Sequence, residues 1–148
     1  MSTIVLEPVR RSVGVDLDVE SAFRLFTREI ASWWPGESHS ISGNPAELVW
    51  EERQGGELYE IAPDGARHHW GRVTAWEPPH RFVLAWNVGQ RPSPTEVEVR
   101  FTAFPEGGTR VELEHRAWNV LDDGPDSRDN YDRGWEYVLG RFAEAVAR

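Results

Sequence analysis

The chain has 148 residues, a formal charge of −9 and no cysteine. This is the length of one domain, 1–148, and it buries roughly 68–70% of its unfolded surface, enough for a core without staples. Disulfides, thiolate metal sites and thiol nucleophiles are excluded; all 16 basic residues are arginine, which excludes a Schiff-base lysine, and their scatter among 25 carboxylates leaves no basic stripe for nucleic acid.

Residues 1–15, MSTIVLEPVRRSVGV, lack the basic segment and unbroken apolar run of an export signal. No apolar run approaches the roughly 20 residues of a membrane span, so the expectation is a cytoplasmic protein without a membrane partner. EPVRRSVGVDL reads as a strand with Val9, Arg11, Val13 and Val15 on one face, Arg11 interrupting it. Asp18 fits an N-cap, with Glu20 in the first turn, where the helix dipole favours an anion. ESAFRLFTREIASWW places Ala22, Phe23, Phe26 and Ile30 at helical spacing, and Pro35-Gly36 ends the run.

ESHSISGNP is loop by composition. AELVWEER and GELYEIAP read as strands joined through Gly55-Gly56, and Pro63-Asp64-Gly65 turns into the strand RHHWGRVTAW. Pro78-Pro79 must turn, because neither residue can donate to a ladder, and RFVLAWNV returns. TEVEVRFTAF alternates cleanly, with Val97, Val99, Phe101 and Ala103 on a buried face and Glu96, Glu98, Arg100 and Thr102 on a wet one. TRVELEHRAW alternates again, with Val111, Leu113, His115 and Ala117 inward. NVLDDGPDSRDN reads as a polar loop, and YDRGWEYVLGRFAEAVAR as an amphipathic helix with Tyr131, Trp135, Val138, Leu139, Phe142 and Val146 on its apolar stripe. Strands segregated from helices predict an α+β fold in which the last helix covers an antiparallel sheet.

GRVTAWEPPHRFVLAW, residues 71–86, resembles the G-x-V…P-P-x-R-L…W stretch of the family named for activators of the heat-shock chaperone ATPase, within the START-like or SRPBCC superfamily. Gly71, Val73, Trp76, Pro78, Pro79, Arg81, Phe82 and Trp86 occupy its positions, although Trp76 stands where a smaller aliphatic is usual. VDLDVESAFRLFT, the WWP of residues 33–35, and Gly134, Trp135, Leu139 and Phe142 fit the family in order, so the resemblance spans nearly the whole chain. It implies a helix-grip fold: a curved antiparallel sheet of about seven strands around a long C-terminal helix, a short helix pair after the first strand, and a cavity between sheet and helix. The superfamily includes lipid and hormone carriers, polyketide cyclases and aromatases as well as chaperone activators, so the fold does not fix an activity.

The expected ligand-facing set is Trp33, Trp34, Trp50, Phe82, Trp86, Phe101, His115, Trp135 and Leu139. Tryptophan suits a pocket wall because a flat face can meet a ligand while the indole N–H finds a partner; within residues 71–86, Trp86 is the wall residue. Each of these rings can equally be core. His115, on an apolar strand face, is either a satisfied core histidine or the leading acid–base candidate. His68 and His69 are neighbours on one strand and point to opposite faces, so they cannot chelate one metal, and His39 sits in the loop near the expected pocket mouth. No metal or cofactor is expected. Glu51, Glu52, Glu112, Glu114, Asp122 and Asp123 read as solvated surface.

The leading function is binding of a small hydrophobic or aromatic molecule, lipids included. A cyclase- or dehydratase-type enzyme using His115 is the alternative. A module regulating a chaperone ATPase through its acidic surface is third, and a homodimer is left open.

Overall fold

The computed structural model describes residues 6–88, 93–121 and 123–147. Seven strands form one antiparallel sheet: β1 (Val9–Val15), β2 (Glu47–Trp50), β3 (Glu57–Ile61), β4 (Arg67–Glu77), β5 (Arg81–Trp86), β6 (Thr95–Ala103) and β7 (Thr109–Arg116). Their order is β1-β7-β6-β5-β4-β3-β2, so β2 to β7 form a meander and the first strand closes against the last. The sheet curls into a half-barrel around the C-terminal helix, the expected helix grip.

Three segments depart from the expected elements. The first helical stretch divides into α1 (Val19–Phe26) and a 3-10 turn at Ile30–Ser32. Asp18 caps α1 by accepting from the Ser21 amide at 2.7 Å. At its other end the Thr27 hydroxyl donates to the Phe23 carbonyl at 2.8 Å, a competing bond that favours bending. The apolar stripe survives the break, since Ala22, Phe23, Phe26 and Ile30 are all buried. The segment expected as a polar loop after β7 holds a second 3-10 turn, Trp118–Val120, and the first turns of α2 (Gly124–Ala147). Gly124-Pro125 reads as a breaker, but proline is tolerated in a first turn, whose amides lack intrahelical partners anyway. Ser127 fixes that turn, its hydroxyl donating to the Asp123 carboxylate at 2.9 Å. Asp122 lies outside the described residues. Ala117, expected inward on β7, instead follows the strand with φ of 71° and turns the chain toward α2.

β4 carries two bulges, which skip Trp70 opposite β3 and Thr74 opposite β5. Each inserts one residue and bends the strand. As a result Trp70, Val73 and Trp76, three residues apart, all pack into the core, where a regular strand would alternate them. Gly71 lies between Trp70 and the Ala85 backbone, and a Cβ there would stand 2.9 Å from the Ala85 carbonyl oxygen. The turn between β4 and β5 contains a cis Pro78–Pro79 bond.

The outer sheet face is less wet than the alternation predicts. Glu98 is 5% exposed, under the side chains of Arg81, Arg100 and Arg116 at 2.5–2.8 Å. Burial alone would raise its pKa, but hydrogen bonds from those arginines outweigh it and hold the carboxyl at about 2. Arg11 interrupts the inner face of β1 because it reaches α2, 2.9 Å from Asp132 and 3.4 Å from Glu136.

A carboxylate with a depressed folded pKa stabilises fully above its unfolded value and loses that contribution as pH falls through the folded one. Glu98 should therefore contribute about 3 kcal/mol at neutral pH, lost between about pH 4.5 and 2. Glu98→Gln should lower stability in urea unfolding at pH 7 and flatten the decline over that acid window. An unchanged slope would show that this carboxylate does not titrate there.

Candidate functional site

The space between sheet and helix is filled at one end and open at the other. At the filled end the rings interlock: Phe23 with Phe101 at 5.1 Å, Phe26 with Trp33 and Phe142 at 5.1 Å, and Trp50 with Phe82 at 4.9 Å. Trp76, in the place of a smaller aliphatic, joins this end, 5.1 Å from Phe23. At the open end lies a cavity of about 230 Å³ lined by Trp34, His39, Ser40, Trp70, Trp86, Val88, Tyr131, Gly134, Trp135 and Val138.

Three of the residues expected to face a ligand line it: Trp34, Trp86 and Trp135. Trp33, Phe82, Phe101 and Leu139 are buried core at 1–3% exposure, and Trp50 packs on Phe82. None of these five lines the cavity.

His115 is fully buried and is also absent from the lining. Its ring packs against Trp118, Tyr131 and Trp135, so the latter two stand between it and the cavity. The Trp135 indole N–H donates to Nδ1 at 2.9 Å. The neutral ring then carries its proton on Nε2, which donates to the Thr95 hydroxyl at 2.6 Å. Burial lowers its pKa to about 3. Of the two readings of His115, the geometry matches a core histidine: both nitrogens are engaged, it is not among the lining residues, and the imidazole positions the wall residue Trp135.

The walls hold each other. The Trp86 N–H donates to the Tyr131 hydroxyl at 3.0 Å, joining β5 to α2. The Trp34 N–H donates to the His39 carbonyl at 2.8 Å, folding the loop at 36–46 over the mouth. Glu60 anchors this loop. Its buried carboxylate accepts from the Ile41 and Ser42 amides at 2.6 and 3.1 Å, the Ser42 hydroxyl at 2.7 Å and the Trp70 N–H at 2.8 Å. Burial opposes ionisation, but these donors prevail and keep its pKa below the usual value. One side chain thereby fixes both a wall ring and the mouth loop.

His39, placed near the mouth by the sequence, lines it. Its ring stacks on Tyr137 at 5.2 Å, with Ser38 Oγ 2.6 Å from Nδ1. Burial lowers its pKa against a smaller opposing effect of Glu37. Among the described residues no group of His, Asp and Glu is arranged to hold a metal ion. His69 pairs with Glu57 at 2.7 Å.

Sequence reasoning missed Trp70 and Glu60. Trp70 sits at a bulge and is buried together with Gly71 and Val73 instead of alternating with them, and strict alternation cannot place all three inward. Glu60 did leave a sequence signal: it lies two residues from buried Leu58, on the inward face of β3.

The family model for activator of Hsp90 ATPase homolog 1-like proteins matches residues 16–147. The chain belongs to this family. Among solved structures it is similar to an anthrahydroquino-gamma-pyrone synthase, Txn09, at 34% identity and TM-score 0.63, covering 95% of this chain and 97% of that one. CalC from Micromonospora echinospora, a self-sacrificing resistance protein, is 28% identical with TM-score 0.72 over 95% and 94% of the two chains. The Aha1 dimer from Colwellia psychrerythraea shares the fold at 16% identity, TM-score 0.70, over 95% and 96%. No protein of curated function matches the chain. In this member of the family no helix among the described residues is long and apolar enough to cross a membrane.

The depressed His115 pKa gives a sign for acid sensitivity. The unfolded histidine binds a proton below about pH 6.5 and the folded one does not, so stability is complete above that pH and falls as pH drops toward 3. The slope from this group should approach about 1.4 kcal/mol per pH unit. His115→Gln should remove that part of the slope between pH 6.5 and 4.5 in thermal or urea unfolding. Retention of the full slope would mean that His115 titrates normally.

Proposed function

We propose that the protein binds a small planar aromatic molecule in the cavity between β4, β5 and α2. The observation that carries this reading is the state of the four wall indoles. Trp34, Trp70, Trp86 and Trp135 all donate their N–H groups to the protein, so what the indoles leave for a guest is apolar ring carbon. Such a wall favours a flat apolar guest. The volume, about 230 Å³, lies below the roughly 300–1,000 Å³ of drug-sized sites and above the roughly 150 Å³ that admits benzene. That size favours a compact ring system over a long acyl chain, so the lipid-carrier reading is the weaker form of the hypothesis. The 34% identity with a protein described as a synthase of a polycyclic pyrone supports an aromatic guest.

The same identity favours one further reading, an enzyme of the cyclase or dehydratase kind. In it His39, whose ring lines the cavity, replaces His115 as the group that meets the bound molecule. Turnover of an aromatic ketone bearing an acidic α-C–H, lost in His39→Ala while binding persists, would establish that role. Turnover unaffected by the substitution would remove His39 from it. The chaperone-regulating reading rests on the family's name alone.

Gly134 provides the test of binding. It lines the cavity from α2, and a Cβ there meets only the His39 ring, at 3.9 Å. A larger side chain would fill the opening without deleting a wall, and replacing glycine in a helix raises helix propensity. Titrated with fluorene, the wild-type protein should show saturable quenching of tryptophan emission. Gly134→Leu should weaken binding by at least about tenfold with its Tm unchanged or raised. Palmitate should bind more weakly than fluorene. Absence of saturable quenching by fluorene would refute the cavity as a binding site.

A further inference from the structure

Five residues that line the cavity carry a side-chain nitrogen: Trp34, His39, Trp70, Trp86 and Trp135. The four indole N–H groups are bonded within the protein. Of the hydroxyls, Ser40 donates to the Gly36 carbonyl at 2.5 Å and accepts from the Gly43 amide at 2.9 Å, and Tyr131 accepts from Trp86. His39 Nδ1 meets Ser38 Oγ. Among the lining side-chain nitrogens, His39 Nε2 alone forms no hydrogen bond within the described residues. It is also accessible, since the fully buried unpartnered side-chain atoms among those residues are Trp50 Nε1 and Arg141 Nε.

The His39 ring is held in one orientation. It stacks on Tyr137 with 16° between the planes, its backbone carbonyl is tied to Trp34, and its Nδ1 edge meets Ser38. The opposite edge faces Gly134, where a Cβ would stand 3.9 Å from both Cδ2 and Nε2. Gly134 is itself a lining residue, so Nε2 borders the open space at the mouth with no wall ring in front of it.

The chemistry of this edge selects its partner. No cationic side chain lines the cavity, and the charge that acts on the His39 ring is the Glu37 carboxylate, so a bound anion would find no counter-charge. The neutral imidazole carries one proton. Where Ser38 Oγ donates to Nδ1, Nε2 is a donor; where Oγ accepts, Nε2 is an acceptor. A hydroxyl answers either tautomer, and a carbonyl answers only the first.

This inference rests on the cavity reading above and specifies its ligand. We propose that His39 Nε2 hydrogen-bonds a phenolic hydroxyl on the edge of the bound ring system that stays at the mouth, while the unsubstituted rings lie against the indoles. The ligand class is a planar hydroxylated aromatic, and His39 is the residue that selects it. Water serves Nε2 in the empty site, so the gain is the net value of one hydrogen bond.

2-Hydroxyfluorene and fluorene share one ring frame and differ by a hydroxyl on a terminal ring. Their dissociation constants, from tryptophan quenching of the full chain, should favour the phenol by about fivefold. His39→Phe keeps a ring against Tyr137 and a backbone carbonyl for Trp34 and removes both nitrogens, so the two compounds should bind this variant equally. Equal affinities in the wild-type protein, or a phenol preference that survives in His39→Phe, would overturn the proposal while leaving the cavity reading intact. Failure of both compounds to bind would overturn both. Should the variant not fold, nitrogen NMR of the wild-type protein decides. The His39 Nε2 resonance, assigned through the contacts of its ring with Tyr137, should shift further with 2-hydroxyfluorene than with fluorene. Equal shifts overturn the proposal.

Discussion

A buried indole N–H left without an acceptor costs free energy, and in a chain with eight tryptophans six indole hydrogen bonds among the described residues organise the interior. Each bond ties together elements far apart in sequence or fixes a turn. Trp86 binds β5 to α2 through Tyr131, and Trp135 binds α2 to β7 through His115. Trp118 closes on the His115 carbonyl and holds the 3-10 turn that leads into α2. Trp33 closes on the Leu25 carbonyl and holds the turn after α1. A phenylalanine core of similar volume would need none of these acceptors and could slide. The indoles impose register between sheet and helix, the kind of specificity that satisfied buried polar groups supply.

The open end follows from the same geometry. One helix cannot fill the concave side of a seven-stranded half-barrel. Near β6 and α1 the phenylalanines complete the filling, and Phe23, Phe26, Phe82, Phe101 and Phe142 pack with ring centroids 5–6 Å apart. Toward the N-terminal half of α2 the helix presents Gly134 in place of a large side chain, and the loop at 36–46 supplies the remaining wall. Glu60 makes that loop part of the structure. Its carboxylate collects four donors, so the mouth is held by a buried anion rather than by apolar contact.

Regular periodicity made much of the fold legible. The alternation in β6 and β7 and the apolar stripe of α2 identified their elements and inner faces, and the ordered motifs of residues 71–86 and 134–142 identified the grip. What escaped was local irregularity. The bulge at Trp70 reverses an alternation that the sequence alone extends unbroken, and the early start of α2 hides behind Gly124-Pro125. The site was legible in residue type and less so in membership. Inward tryptophans were identifiable, but whether a ring fills or lines depends on where the helix and mouth loop stop, which no single strand encodes. Trp50 and Trp86 both end short strands, yet the first meets Phe82 and the second meets the cavity. His115 shows the same limit, since an inward histidine and a pocket histidine differ only in whether Trp135 and Tyr131 stand in front.

The outer sheet face bears on where recognition occurs. Across it Arg10, Arg81, Arg100, Arg110 and Arg116 meet Glu77, Glu96, Glu98, Glu112 and Glu114 in ion pairs, five of each sign. The formal charge of −9 is therefore not concentrated there. A balanced lattice already paired within itself offers a charged partner little unsatisfied potential, and an exposed pair gains little on its own. The inner side presents the opposite condition: apolar ring surface and open space. Discrimination by shape belongs to small-molecule recognition rather than to charge-steered protein docking. The distribution of paired charge and open apolar space thus points to the concave side of this sheet.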